Sequence, residues 1–137
     1  LLVALSQEAC NSYHHLLKPA GVLLVDTGLV RQVPTNVYLG LPFTDLALER
    51  VKVPQATNVV ALGAVIFLLP FARREVMRKS LLATLPEKIH KVNLKAFALG
   101  FDQARKLLER PLNLEAREAE NGRKRGDADL TEIMVED

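Results

Sequence analysis

Apolar runs and helical apolar stripes alternate over the first third of the chain, and helical stripes alone follow. LLVAL (1–5) is a continuous apolar run, the pattern of a strand covered on both faces. Ser6 is a good N-cap for QEACNSYHHLL (7–17), where Ala9, Tyr13, Leu16 and Leu17 recur at helical spacing and predict one apolar face. Lys18-Pro19-Ala20-Gly21 then supplies a basic last residue and the Pro and Gly that stop a helix. GVLLVDT (21–27) predicts a second buried strand, ended by Asp26, Thr27 and Gly28. Two buried strands joined by an amphipathic helix make a βαβ unit with parallel strands and a right-handed crossover. After a loop with Pro34, NVYLGLP (36–42) predicts a third strand, weakened by Gly40, and Thr44 stands where it would cap a short helix over DLALER.

From Thr57 onward the pattern predicts only helices. The first covers 58–69. A second, 73–85, carries Val76, Met77, Leu81 and Leu85 on one side. Pro86 opens a third over about 87–110, with Ile89, Val92, Ala96 and Leu99 in phase and Phe97, Phe101, Ala104 and Leu108 beside them; Pro111 ends it. The run after Asn58 is apolar for fourteen residues. A spanning helix needs about 20 apolar residues, and this run contains Gly63 and Pro70 and meets Arg73 and Arg74 at once. A helix apolar on every side yet too short to span belongs inside a protein core. No membrane span is expected.

Three strands are few for so much apolar helix, and a parallel sheet is usually larger and covered by helices on both faces. The expected fold is therefore α/β, a three-layer αβα arrangement with a mainly parallel sheet, present as a partial domain followed by helices and a charged tail. The chain opens on Leu1 with neither an initiator Met nor a signal-peptide n-region, so its natural start, and the missing strands, are expected upstream. Residues 111–137 hold eight acids against four bases, a net −4, and are expected to form no core of their own. Within them Leu130, Ile133 and Met134 make a short helical stripe that could order on a partner subunit or on the basic remainder, or stay solvated. A single Cys agrees with a reducing, cytoplasmic compartment. A net charge of +2 with no basic run interleaved with aromatics gives no footprint for nucleic acid.

Several chemistries are absent. The sequence has no G-x-G-x-x-G, no P-loop and no G-x-S-x-G elbow. One Cys cannot hold an iron–sulfur cluster, which takes about four ligands. Cys10 and His14 stand at i,i+4 and could supply two ligands of a zinc site, but no partners follow, and a buried thiol beside a surface His is the plain alternative. Catalytic residues and metal ligands are thus expected to be none. Asp26 and Thr27 sit where a parallel strand ends, the side on which open α/β sheets bind ligands. The alternative is a turn that needs Asp and Gly for its backbone. Asn58 opens the apolar helix, whose unpaired N–H groups could meet an anion or be capped locally by Thr57 or Asn58. Asp26, Thr27 and Asn58 are the candidate ligand or interface rim.

The succession LLVALSQEACNSYHHLLKPAGVLLVDTGLV, LPFTDLALE, ATNVVALGAVIFLL and VNLKAFALGF resembles the gamma subunit of 2-oxoacid:ferredoxin oxidoreductases, which act on pyruvate, 2-ketoisovalerate or 2-oxoglutarate. Its most specific pieces are Leu16-Leu17-Lys18-Pro19 with Gly21, Asn58 with Ala61-Leu62-Gly63, and Asn93-Leu94-Lys95-Ala96 with Gly100. The resemblance covers about residues 1–101, so residues 1–110 are expected to be the C-terminal part of a gamma-type domain and 111–137 a charged tail. It implies a complex that oxidatively decarboxylates a 2-oxoacid with thiamine diphosphate and Mg, passes electrons through iron–sulfur clusters to ferredoxin, and loads the acyl group on coenzyme A. Alpha-, beta- and delta-type subunits are the implied partners, ferredoxin an indirect one, and no cofactor is implied on this chain, which alone should be inactive. The family's Gly-rich first turn and Arg-Gly-Gly segment are missing. The alternative is a free-standing α/β ligand-binding or enzyme domain that shares only the sheet architecture.

Overall fold

The computed structural model describes residues 1–109. The charged tail, its Leu130, Ile133 and Met134 stripe and the end of the last predicted helix lie outside the described residues. Three parallel strands stand in chain order: β1 (Leu2–Ala4), β2 (Leu23–Asp26) and β3 (Leu39–Leu41). Leu2 pairs with Leu23 and Ala4 with Val25, while Leu24 pairs with Leu39 and Asp26 with Leu41. The strands are shorter than the apolar runs that announce them, and Leu1, Val22 and Val37 at the ends of those runs are exposed.

Strand alternation sends neighbouring residues to opposite faces, and each face has its own apolar cluster. Leu23 and Val25 point into a small one with Ala4, Cys10 and Val30, covered by α1 (Gln7–Tyr13). Leu24 and Leu41 point into a larger one with residues of α2 (Phe43–Leu46), α3 (Thr57–Leu68) and α5 (His90–Glu109). Helices therefore cover both faces, which is the three-layer αβα arrangement the pattern predicts.

Ser6 caps α1, its hydroxyl accepting from the Ala9 N–H at 3.1 Å. The helix then stops earlier than its apolar positions suggest, tightening into a 3-10 turn at His14–Leu16. Its buried residue is Cys10, while Tyr13 and Leu16 are exposed. His14 donates from Nδ1 to the Cys10 carbonyl at 3.0 Å, which makes it a cap for the helix end.

α2 runs on into a π-type turn, Ala47–Val51, closed by Lys52 in the left-handed region at φ 65°. A 3-10 turn at Pro54–Ala56 leads into α3. Only Asn58 of α3 is exposed, and Val60, Ala61, Gly63, Ala64 and Ile66 are buried. This answers the question of the fourteen-residue run: its helix is enclosed by the fold, and no helix among the described residues is long and apolar enough to cross a membrane.

α3 and α5 are in backbone contact. A Cβ at Gly63 would collide with the Phe97 carbonyl, and one at Gly100 with the Val60 carbonyl. Ala61, Ala64, Ala96 and Ala104 are the buried small residues beside that crossing. α4 (Arg74–Thr84) differs from the rest. None of its residues is buried, and Val76, predicted to share one side with Met77, Leu81 and Leu85, is 56% exposed.

Candidate functional site

β2 ends at Asp26, and the turn beyond it is built around that side chain. Asp26 is 0% exposed, the one buried charged residue among those described. Its carboxylate accepts three hydrogen bonds. The Gly28 N–H donates to Oδ1 at 3.0 Å, closing a local turn. The Thr44 N–H donates to Oδ2 at 3.0 Å, and the Thr44 hydroxyl donates to the same oxygen at 2.6 Å. The start of a helix has unpaired N–H groups and favours negative charge. Asp26 meets that need from another strand.

The cap of α2 is therefore not Thr44, as its position in the sequence suggests, but Asp26. Thr44 is the donor in that arrangement. Gly28 lies between two carboxylates: a Cβ there would stand 3.3 Å from Oδ1 of Asp26 and 3.3 Å from Oδ2 of Asp45. The turn closes on the Asp26 carboxylate at the carboxyl end of the sheet, and Gly28 suits it by its small size between the two carboxylates, not by a left-handed backbone.

Thr27 is exposed, and its N–H donates to the Leu41 carbonyl at 3.1 Å, continuing the pairing of β2 with β3. Its methyl group sits over Gly40, where a Cβ would stand only 2.5 Å away. The Thr27 hydroxyl makes no hydrogen bond among the described residues. Asn58 is exposed in the first turn of α3. Neither it nor Thr57 caps that helix: the Thr57 hydroxyl donates back to the Pro54 carbonyl at 2.7 Å, and the preceding 3-10 turn feeds the helix start instead. No hydrogen bond joins Asn58 to Asp26 or Thr27. The three rim residues divide into one internal support, Asp26, and two outward polar groups.

Sequence reasoning missed Thr44 as the partner of Asp26 and Gly40 as the seat of Thr27. A hydroxyl two residues after Pro42 was the available signal for the first, read in the wrong direction. Nothing local could have signalled the second, because Thr27 and Gly40 meet only through strand pairing.

The donor set does not fit a metal or cluster. Among the described residues no group of three His, Cys, Asp or Glu could hold a metal ion, and the Cys10 thiol is enclosed in the core.

Residues 1–103 match the family described as pyruvate ferredoxin/flavodoxin oxidoreductase. The chain belongs to that family. It is 38% identical over 112 residues to the 2-oxoglutarate synthase subunit KorC of Methanocaldococcus jannaschii, covering 78% of this chain and 59% of that one. Its fold matches the gamma subunit of keto/oxoacid ferredoxin oxidoreductase from Geobacter sulfurreducens PCA with a TM-score of 0.73 at 38% identity, over 77% of this chain and 63% of that one. The 2-oxoglutarate:ferredoxin oxidoreductase of Magnetococcus marinus, solved with 2-oxoglutarate, coenzyme A and succinyl-CoA bound, shares the fold with a TM-score of 0.58 at 23% identity, over 76% of this chain and 19% of that one. The chain thus spans about three fifths of the length of the two subunits matched at 38% identity, and the family match over residues 1–103 takes in the sheet, the Asp26 turn and the α3–α5 crossing.

Proposed function

We propose that the chain is the gamma-type part of a 2-oxoacid:ferredoxin oxidoreductase, with residues 1–110 as the C-terminal portion of the domain and 111–137 as a charged extension. In this reading the complex converts a 2-oxoacid and coenzyme A to an acyl-CoA and carbon dioxide, and two electrons leave through iron–sulfur clusters to ferredoxin. Thiamine diphosphate, Mg and the clusters sit on alpha-, beta- and delta-type partners in the cytoplasm. The observation that carries the proposal is the match of residues 1–103 to the family, supported by 38% identity to the gamma-subunit structure.

The role of this chain is then to shape and support, not to react. Asp26 holds the β2 turn and the start of α2 in one piece, so that the Thr27 hydroxyl and the Asn58 amide are presented on ordered backbone. We assign these two as a polar rim for coenzyme A or for a partner subunit, with Asp26 as its internal support. Because the curated relative is a 2-oxoglutarate synthase subunit, 2-oxoglutarate is the first substrate to test. The experiment is co-expression of the chain with the other subunits of its complex and an assay of oxoacid- and coenzyme-A-dependent ferredoxin reduction. Activity that needs this chain supports the proposal; a fully active complex without it overturns it.

A further inference from the structure

The basic charge of the described residues is concentrated in one place. Residues 73–95, which comprise α4, the turn after it and the first turns of α5, hold seven bases against two acids, a net +5. The remaining described residues hold six bases and six acids and cancel. Six of those seven bases are exposed, Arg78, Lys79, Lys88 and Lys91 among them. One ion pair lies within the segment, Arg78 to Glu75 at 3.6 Å, between side chains that are 50% and 69% exposed, so the charge is largely uncompensated.

The same segment carries the least covered apolar surface on a long helix. No α4 residue is buried, and none of its apolar side chains belongs to either core cluster. Met77, Leu81 and Leu85 are only half-buried, Val76 is 56% exposed, and Phe71 just before the helix is 80% exposed. α4 is anchored at its first residue, where the Arg74 guanidinium lies 4.4 Å from the centre of the Phe101 ring. Exposed apolar side chains in a segment that also carries uncompensated charge of one sign have the composition of a protein-docking surface. A phosphate polyanion would answer the bases but leave Phe71 and Val76 in water.

We propose that α4 and the first turns of α5 dock an acidic, apolar-centred surface of another subunit of the same oxidoreductase. The inference rests on the subunit reading above and adds the place and the chemistry of the contact. Charge complementarity of this kind sets partner choice and encounter rate, and its effect falls with salt.

The test uses the full chain, co-expressed with its partner subunits, and an Arg78→Glu/Lys79→Glu/Lys91→Glu variant whose altered side chains are exposed and touch no core cluster. A Val76→Asp variant probes the apolar centre separately. The expected result is unchanged thermal melting, association weakened about tenfold or more at low salt, and loss of the salt dependence shown by the wild type. If the wild type assembles and both variants assemble equally well with the same salt dependence, the surface is overturned while the subunit reading stands. If the wild type associates with no partner subunit, both are overturned. Self-association of the wild type that the variants abolish, or binding to anionic vesicles that they abolish while assembly is untouched, assigns the surface to a second copy or a lipid face and overturns the proposal.

Discussion

Gly63 of α3 and Gly100 of α5 each face the other helix's backbone: a Cβ at Gly63 meets the Phe97 carbonyl, and one at Gly100 meets the Val60 carbonyl. The two helices touch through main chain because neither position has a side chain. Carbonyl oxygens held in helical hydrogen bonds cannot move aside as a flexible side chain can. Gly63→Ala or Gly100→Ala should therefore destabilise the fold by about 1–3 kcal/mol or more, and Gly63→Leu by more than Gly63→Ala. The double alanine variant should cost less than the sum, since one opening of the crossing accommodates both. Thermal or denaturant melts check this, and an unchanged midpoint for Gly63→Leu would refute the crossing.

Asp26 and Thr44 form the second coupled pair. Thr44→Val removes the 2.6 Å hydroxyl donor and should cost about 1.5–3 kcal/mol, the range for a hydrogen bond to a charged group. Asp26→Ala leaves the N–H groups of Gly28 and Thr44 without their acceptor and should cost more. In a double-mutant cycle the pair should show a coupling of about 0.5–3 kcal/mol. Additive losses would mean that the carboxylate does not organise α2.

Thr27 and Gly40 should show rescue. Gly40→Ala places a methyl group 2.5 Å from the Thr27 Cγ2 and should destabilise the β2–β3 pairing by about 1 kcal/mol or more. Thr27→Ser removes that methyl while keeping the hydroxyl, so the Thr27→Ser/Gly40→Ala variant should recover most of the loss. Failure of rescue in equilibrium melts would place the Thr27 methyl elsewhere.

The isolated chain should show no visible iron–sulfur absorbance and no oxoacid-dependent dye reduction. Its one thiol is buried in the α1 face of the core, and no ligand cluster exists among the described residues. Anaerobic reconstitution with iron and sulfide, followed by absorbance and dye assays, checks this; a stable cluster would overturn the division of labour between subunits.

Much of this architecture is legible in the sequence, because much of it depends on neighbours along the chain. Although α1 ends at Tyr13, before the stop expected at Pro19 and Gly21, the Ser6 cap, the apolar runs at Leu2–Ala4 and Leu23–Asp26 and the enclosed character of α3 follow from local propensity and periodicity. The covering of each helix does not. Tyr13 and Leu16 share the apolar spacing of α1 yet stand in solvent, while Cys10 is enclosed among Ala4, Leu23, Val25 and Val30. Val76 has the same spacing in α4 and is exposed, because α4 lies outside both core clusters. Asp26 and Thr44 are eighteen residues apart, and the cap they form exists only because strand pairing sets β2 beside β3 and the helix that follows. Gly63 and Gly100 look alike to any local rule, a small residue in a helix. Only the crossing of α3 over α5 makes each of them a position where no side chain fits, since burial and close approach belong to pairs of elements and not to either sequence alone.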